Sequence, residues 1–158
     1  MEKLRIVQLA VFVFVSYGIL YVYFESLYNA IAKSLGFYNV FKDGVNESNY
    51  ALWGYSSMLM TIVGSVVGGS LWTIFYFIPI FRLWYMIFPF AIIAGIIITI
   101  YELIFGLLLN RVLNLKLWDY SNEPVNFKGQ ISLFRSIAWI CIGFLMWLIN
   151  IGLYKLFV

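Results

Sequence analysis

At 158 residues the chain has the length of one small domain, yet 64% of it is hydrophobic and only 11% charged, whereas soluble domains carry about a quarter of charged residues. No water-soluble interior of this size hides so much apolar surface, so lipid is the solvent that the composition demands. The net charge of +3 comes without a basic run able to follow phosphates, which argues against nucleic acid as a partner, and the absence of histidine removes the usual metal ligand and general base.

Met1 to Arg5 forms a short charged cap. Residues 6–24 are 19 residues without a charge, matching the ~20 needed to cross ~30 Å of hydrocarbon. Tyr21 and Tyr23 suit the interfacial aromatic belt. Glu25, Ser26 and Leu27 follow in place of a small-residue cleavage site, so this run reads as a retained span that also directs insertion. In the long polar connection from Glu25 to Tyr50, Leu27, Tyr28, Ile31, Ala32 and Leu35 recur at helical spacing, which predicts a short amphipathic helix on the membrane surface. Gly36 would end it, Lys42-Asp43-Gly44 reads as a turn, and Asn46-Glu47-Ser48 has the form of a glycosylation acceptor.

A second span is expected over residues 56–77, entered through Gly54, Ser56 and Ser57. Its Gly64-Ser65-Val66-Val67-Gly68 stretch has the small-xxx-small form that lets helix backbones approach closely in lipid. Pro79 and Arg82 mark a tight turn. A third span is expected over residues 83–110, with Pro89 in its first turns, where a missing donor costs little, and with one ionisable residue inside it, Glu102. A polar loop runs from Asn110 to Gln130, and a fourth span occupies residues 131–156, with Arg135 one turn inside and Lys155 at the far interface. Cys141 is alone, so no intrachain disulfide forms. The fold class is therefore an all-α integral membrane protein, one membrane domain over 1–158 with four transmembrane helices and a short interfacial helix. Four spans put both long loops on one side. The halves also read as two related helical hairpins, each a helix ending near a glutamate (Glu25, Glu102), a loop, a glycine (Gly54, Gly129) and a second helix. The lysines and arginines do not settle which side faces the cytoplasm.

Most polar groups gather on the loop side. Glu102 lies nine residues before Arg111, or ~13 Å along the axis, and Arg135 six residues after Gly129, or ~9 Å. Antiparallel neighbours bring the two to similar depths. A carboxylate inside the span costs on the order of 3 kcal/mol unless paired, protonated or wetted, so either Glu102 and Arg135 form an ion pair or a water-filled pocket opens to the loop side. Asp119, Tyr120, Ser121, Asn126, Ser56 and Ser57 complete the candidate pocket. Bland alternatives stand beside these: Asp119 as a turn former and Trp118 as a headgroup anchor. There is no phosphate-cradling glycine loop with lysine, no metal-ligand cluster, and no serine triad without histidine. No cofactor is expected. Acid–base work by Glu102 and Asp119 remains open.

Trp118-Asp119-Tyr120-Ser121, then Asn126, Gly129 and Ile131, resemble a known family, the small multi-pass membrane proteins described as type IV ABC-transporter permeases (CmpB-like), which include eukaryotic transmembrane relatives. In that pattern an acidic residue and a glycine close one span, here Glu102 and Gly106. The Trp-Asp-Tyr-Ser loop and an Asn-x-x-Gly-x-Ile stretch follow, and then a helix bearing a tryptophan, here Trp139. Gly54-Tyr55-Ser56-Ser57-Met58 is similar to the glycine-serine entry of the family's earlier helix. The family often carries a tryptophan-glutamate pattern in its first helix, whereas Glu25 here follows aromatics. The resemblance implies a membrane component of transport, with Trp118, Gly129, Trp139 and Gly54 as structural positions. The expected role is transport or lipid handling at the loop-side pocket, in the plasma membrane, with membrane lipid, further copies of the chain or separate transport subunits as partners. A membrane enzyme acting on a lipid or isoprenoid is the alternative, as is a structural or regulatory subunit.

Overall fold

Long uninterrupted apolar runs with no internal breaker dictate long helices, since in lipid every backbone donor and acceptor has to be satisfied within the segment. The computed structural model describes residues 2–34, 55–115 and 117–157. Its long helices are α1 (Glu2–Ser34), α2 (Tyr55–Phe77), α3 (Ile87–Phe105) and α4 (Leu133–Phe157). Among the described residues three apolar stretches are long enough to cross a membrane: Leu59–Phe77, Trp84–Val112 and Leu133–Leu156. A shorter apolar stretch, Val7–Tyr23, lies within α1. The chain is a multi-pass, all-α integral membrane protein.

Four features depart from the hydropathy reading. The surface helix expected after residue 24 is no separate element, because α1 continues unbroken to Ser34. Nothing between Glu25 and Ser34 is a glycine or proline, so no residue there breaks the helix. The third span does not start as an α-helix at residue 83. Two 3₁₀ turns, Pro79–Arg82 and Trp84–Met86, come first, with Leu83 extended between them, and Pro79 sits where its missing N–H is no loss. The last residues of that span, Gly106–Val112, widen into a π-helix. The fourth helix begins at Leu133 because Ile131 and Ser132 instead pair antiparallel with Phe127 and Asn126. Gly36, the Lys42–Gly44 turn, the Asn46 acceptor and Gly54 lie outside the described residues. Ser56 and Ser57 belong to the first turn of α2.

The helices pack in two antiparallel pairs, α1 along α2 and α3 along α4. Glycines set both seams. A Cβ on Gly18 would come within 2.6 Å of the Thr61 carbonyl, and Gly64 and Gly68 receive the side chains of Tyr21 and Tyr17. The small-xxx-small stretch of α2 is thus the groove that α1 fills. In the second pair Gly143 meets the Ala91 backbone and Gly95 meets that of Ile140. The two pairs touch through Tyr17, whose hydroxyl donates to Asn150 Oδ1, and through Tyr21 stacked on Trp139 at 5.9 Å. A small apolar cavity of about 30 Å³ remains between them, bordered by Tyr17, Gly68, Ile98 and Met146. Outward faces carry Ile92, Ile96, Ile100 and Ile104 on α3 and Ile137, Leu145 and Leu148 on α4, all exposed, as lipid contact requires.

Candidate functional site

The loop from Leu117 to Ser132 closes over the ends of α3 and α4, and the sequence explains how. Asp119 Oδ1 accepts from the backbone N–H and hydroxyl of Ser121, at 2.9 and 2.6 Å, the local turn that an aspartate two residues before a serine favours. Asn126 staples the loop: its amide donates to the carbonyls of Ser121 (3.1 Å) and Glu123 (2.8 Å), and its oxygen accepts from Gly129 N (3.0 Å). Gly129 has φ +69°, and a side chain there would run into Asp119; only glycine fits. Ser132 caps α4, its Oγ accepting from Arg135 N at 3.3 Å, as an N-cap serine does.

Beneath this loop lies a buried polar network. Glu102 accepts from Tyr120 Oη at 2.8 Å and from Trp139 Nε1 at 2.8 Å. The Arg135 guanidinium lies over the Tyr120 ring, 4.8 Å from its centre, and its Nε donates to Glu123 Oε1 at 3.3 Å. The other Glu123 oxygen accepts from Ser132 Oγ. A second knot joins the π-helix to the loop. Asn110 Nδ2 donates to the Trp118 carbonyl and to Gln130 Oε1, both at 2.9 Å, and Asn110 Oδ1 accepts from Leu117 N at 2.6 Å. Trp118 Nε1 donates to the Gln130 carbonyl at 3.0 Å. Gly106 lets this knot approach α3: a Cβ there would meet Gln130 Oε1 at 2.7 Å. The widened helix turns Asn110 inward, in keeping with the frequency of π-turns at functional positions.

The polar residues that the sequence singles out therefore fall into two groups. Glu102, Tyr120 and Arg135 belong to the buried network, at 6%, 4% and 3% exposure. Asp119, Ser121, Asn126, Trp118 and Gly129 instead border an open cleft of about 610 Å³, together with Arg111, Asn114 and Lys128. Trp139 serves Glu102 from α4. Ser56 and Ser57 are in α2, on the first helix pair, and Gly54 lies outside the description. Among the described residues no three acidic, cysteine or histidine side chains converge to hold a metal.

Sequence reasoning passed over four of the residues that matter most. Glu123, followed by Pro124, looks like a solvated turn residue, yet it is 3% exposed and ion-paired. Asn110 and Gln130 mark only the ends of a polar loop in sequence. Lys128 reads in the sequence only as one more loop charge. A signal was present: an asparagine at the end of an apolar span and a glutamine at the start of the next would each be costly without partners.

A family model described as "Putative ABC-transporter type IV" matches residues 12–157. The chain belongs to this family. The match takes in all of α2, α3, the loop strands and α4, so the family frame includes the buried network and the cleft. No curated protein and no solved structure matches the chain. Membership in this family agrees with the apolar helices of a multi-pass membrane protein.

Proposed function

We propose that this protein is the membrane component of a transport or lipid-handling system, that α1 crosses the bilayer as a fourth span, and that the loop-side cleft is where it holds its cargo. The observation that carries this reading is the contrast between the two polar groups. The buried residues bond chiefly to one another and fix the loop, while the cleft leaves Arg111, Lys128 and Asp119 exposed on that fixed frame. A preorganised shell supporting a few accessible charges is what a binding site requires. Its volume of about 610 Å³ lies within the ~300–1,000 Å³ of small-ligand sites. Arg111 is the last residue but one of the Trp84–Val112 apolar stretch, which puts the cleft at a membrane face. The sequence holds no nucleotide-binding loop, so any coupling to ATP would come from separate subunits. The plasma membrane is the natural home for such a component, and further copies of the chain are natural neighbours.

Mass spectrometry of protein extracted gently from its own membrane tests this. Wild type should retain a specific polar or polar-headed molecule, and Arg111→Gln should release most of it. Equal retention by both proteins, or no specific molecule in either, would overturn the reading.

A further inference from the structure

The geometry points to the cargo class: the cleft takes the headgroup of a zwitterionic phospholipid bearing a primary amine, phosphate on Arg111 and Lys128 and ammonium on Asp119. The assignment rests on the cleft being a binding site, and extends that reading to the chemistry of the ligand.

Both signs of charge line one cleft without neutralising each other. Arg111 Nη2 donates to the Lys128 carbonyl at 3.0 Å, which uses one of five guanidinium N–H groups and brings the two cationic residues to the same edge. Lys128 is exposed, its ammonium 5.4 Å from the centre of its neighbour's ring, Phe127. Among the described residues neither cation is ion-paired with Asp119. Both bonds to the Asp119 carboxylate fall on Oδ1, leaving Oδ2 for a cation. A phosphodiester with an amine two carbons away presents complementary charges at short range. A free phosphate would leave Asp119 opposed to it, and an anionic lipid without an amine would do the same.

Depth and surroundings point to lipid. Val112 and Leu113, directly after Arg111, and Val125 and Phe127, flanking Asn126, are at least half exposed, from 50% to 74%. Exposed apolar side chains next in sequence to the residues of a charged cleft, at the end of a spanning stretch, fit the headgroup layer, where such side chains reach the acyl boundary. A primary amine is preferred over a quaternary one because choline-type ligands call for an aromatic cage, and among the described residues only one ring, the buried Trp118, lines the cleft, while Phe127 beside Lys128 is a single exposed ring and makes no cage.

The test is native mass spectrometry of the full chain in nanodiscs containing equal amounts of phosphatidylethanolamine, phosphatidylcholine and phosphatidylglycerol. Wild type should retain phosphatidylethanolamine over the other two by roughly ten-fold, the weight of one charge-assisted hydrogen bond. Asp119→Asn should erase that preference, and Arg111→Gln and Lys128→Gln should lower retention of all three lipids. Arg111→Lys, which keeps the charge, should restore much of it and so guards against a folding artefact. If phosphatidylglycerol is held as well as phosphatidylethanolamine while Arg111→Gln still releases both, the zwitterion assignment is overturned and the binding cleft stands. Indifference of every lipid to every cleft variant overturns the cleft as well. Displacement of the lipid by an equal concentration of soluble glycerophosphoethanolamine would identify the ligand as a free solute and overturn the lipid assignment.

Discussion

The Tyr120 hydroxyl and the Trp139 indole each donate a 2.8 Å hydrogen bond to Glu102, one to each carboxylate oxygen. The donors come from the loop and from α4, so a single acidic side chain in the last turn of α3 ties three segments together.

These donors make Glu102 substitutions discriminating. A glutamine keeps one oxygen for the indole, which can only donate, and turns its amide towards the tyrosine hydroxyl, which can also accept. Glu102→Gln is expected to cost no more than about 1 kcal/mol, whereas Glu102→Leu strands both donors and should cost on the order of 2–4 kcal/mol. Thermal unfolding in detergent measures the difference. Equal melting temperatures for the two variants would mean that the network does not hold the fold. If Glu102→Gln melts normally yet abolishes transport, the proton or charge of the acid is used in function.

Arg135 and Glu123 form an ion pair in which both side chains are almost fully buried. Removing one member leaves a buried charge without compensation, so Glu123→Leu and Arg135→Leu should each destabilise by about 3–5 kcal/mol. The double variant should recover most of that loss, since replacing a whole buried pair by apolar groups is often close to neutral. Strictly additive losses in the double variant would mean that the pair does not couple.

The contrast between those two carboxylates shows what the sequence could and could not tell. Hydropathy placed the boundaries of α2 almost to the residue because uncharged runs and polar ends are local facts. Helix rise alone also predicts similar depths for Glu102 and Arg135, and the structure has both against Tyr120. Glu123 was invisible to the same logic, since its burial depends on a loop folding back by way of Asn126, Gly129 and a two-residue strand pair. The π-turn at Gly106–Val112 was equally hidden: its cause is a tertiary knot of Asn110 with Trp118 and Gln130, and no propensity of the residues Gly-Leu-Leu-Leu announces it. The unbroken α1 is legible in principle, because no breaker stands between Glu25 and Ser34, but the end of an apolar run marks a membrane boundary and not a helix boundary.

Gly129 holds the loop in its closed form. With φ +69° and the Asp119 carboxylate in the space that a Cβ would take, Gly129→Ala adds both backbone strain and a clash, for an expected loss of about 1–3 kcal/mol. Because Asp119 would be pushed out of its turn, the loop should loosen before the helices do. Limited proteolysis between Trp118 and Ser132 should therefore accelerate while far-ultraviolet circular dichroism stays unchanged. Unaltered cleavage would show that the loop has room for a methyl group that the geometry denies it.

Helix packing gives a sharper comparison, because two glycines of α4 differ only in what faces them. A methyl group on Gly143 would stand 2.6 Å from the Ala91 carbonyl oxygen and 2.8 Å from its Cα, both backbone atoms, whereas one on Gly152 would meet nothing within 4 Å. Backbone cannot move aside as a flexible side chain can, so Gly143→Ala should part α3 from α4 and cost about 1–3 kcal/mol. Gly152→Ala should be neutral or stabilise by up to about 1 kcal/mol, the helix-propensity gain of alanine over glycine. Melting temperatures in one detergent, measured on the two variants side by side, check the pair. The seam between α3 and α4 also positions Trp139 against Glu102, so Gly143→Ala should carry a second signature that Gly152→Ala lacks, a change in the near-ultraviolet signal of that buried indole. Identical behaviour of the two variants would mean that α3 and α4 do not meet at Ala91 and Gly143.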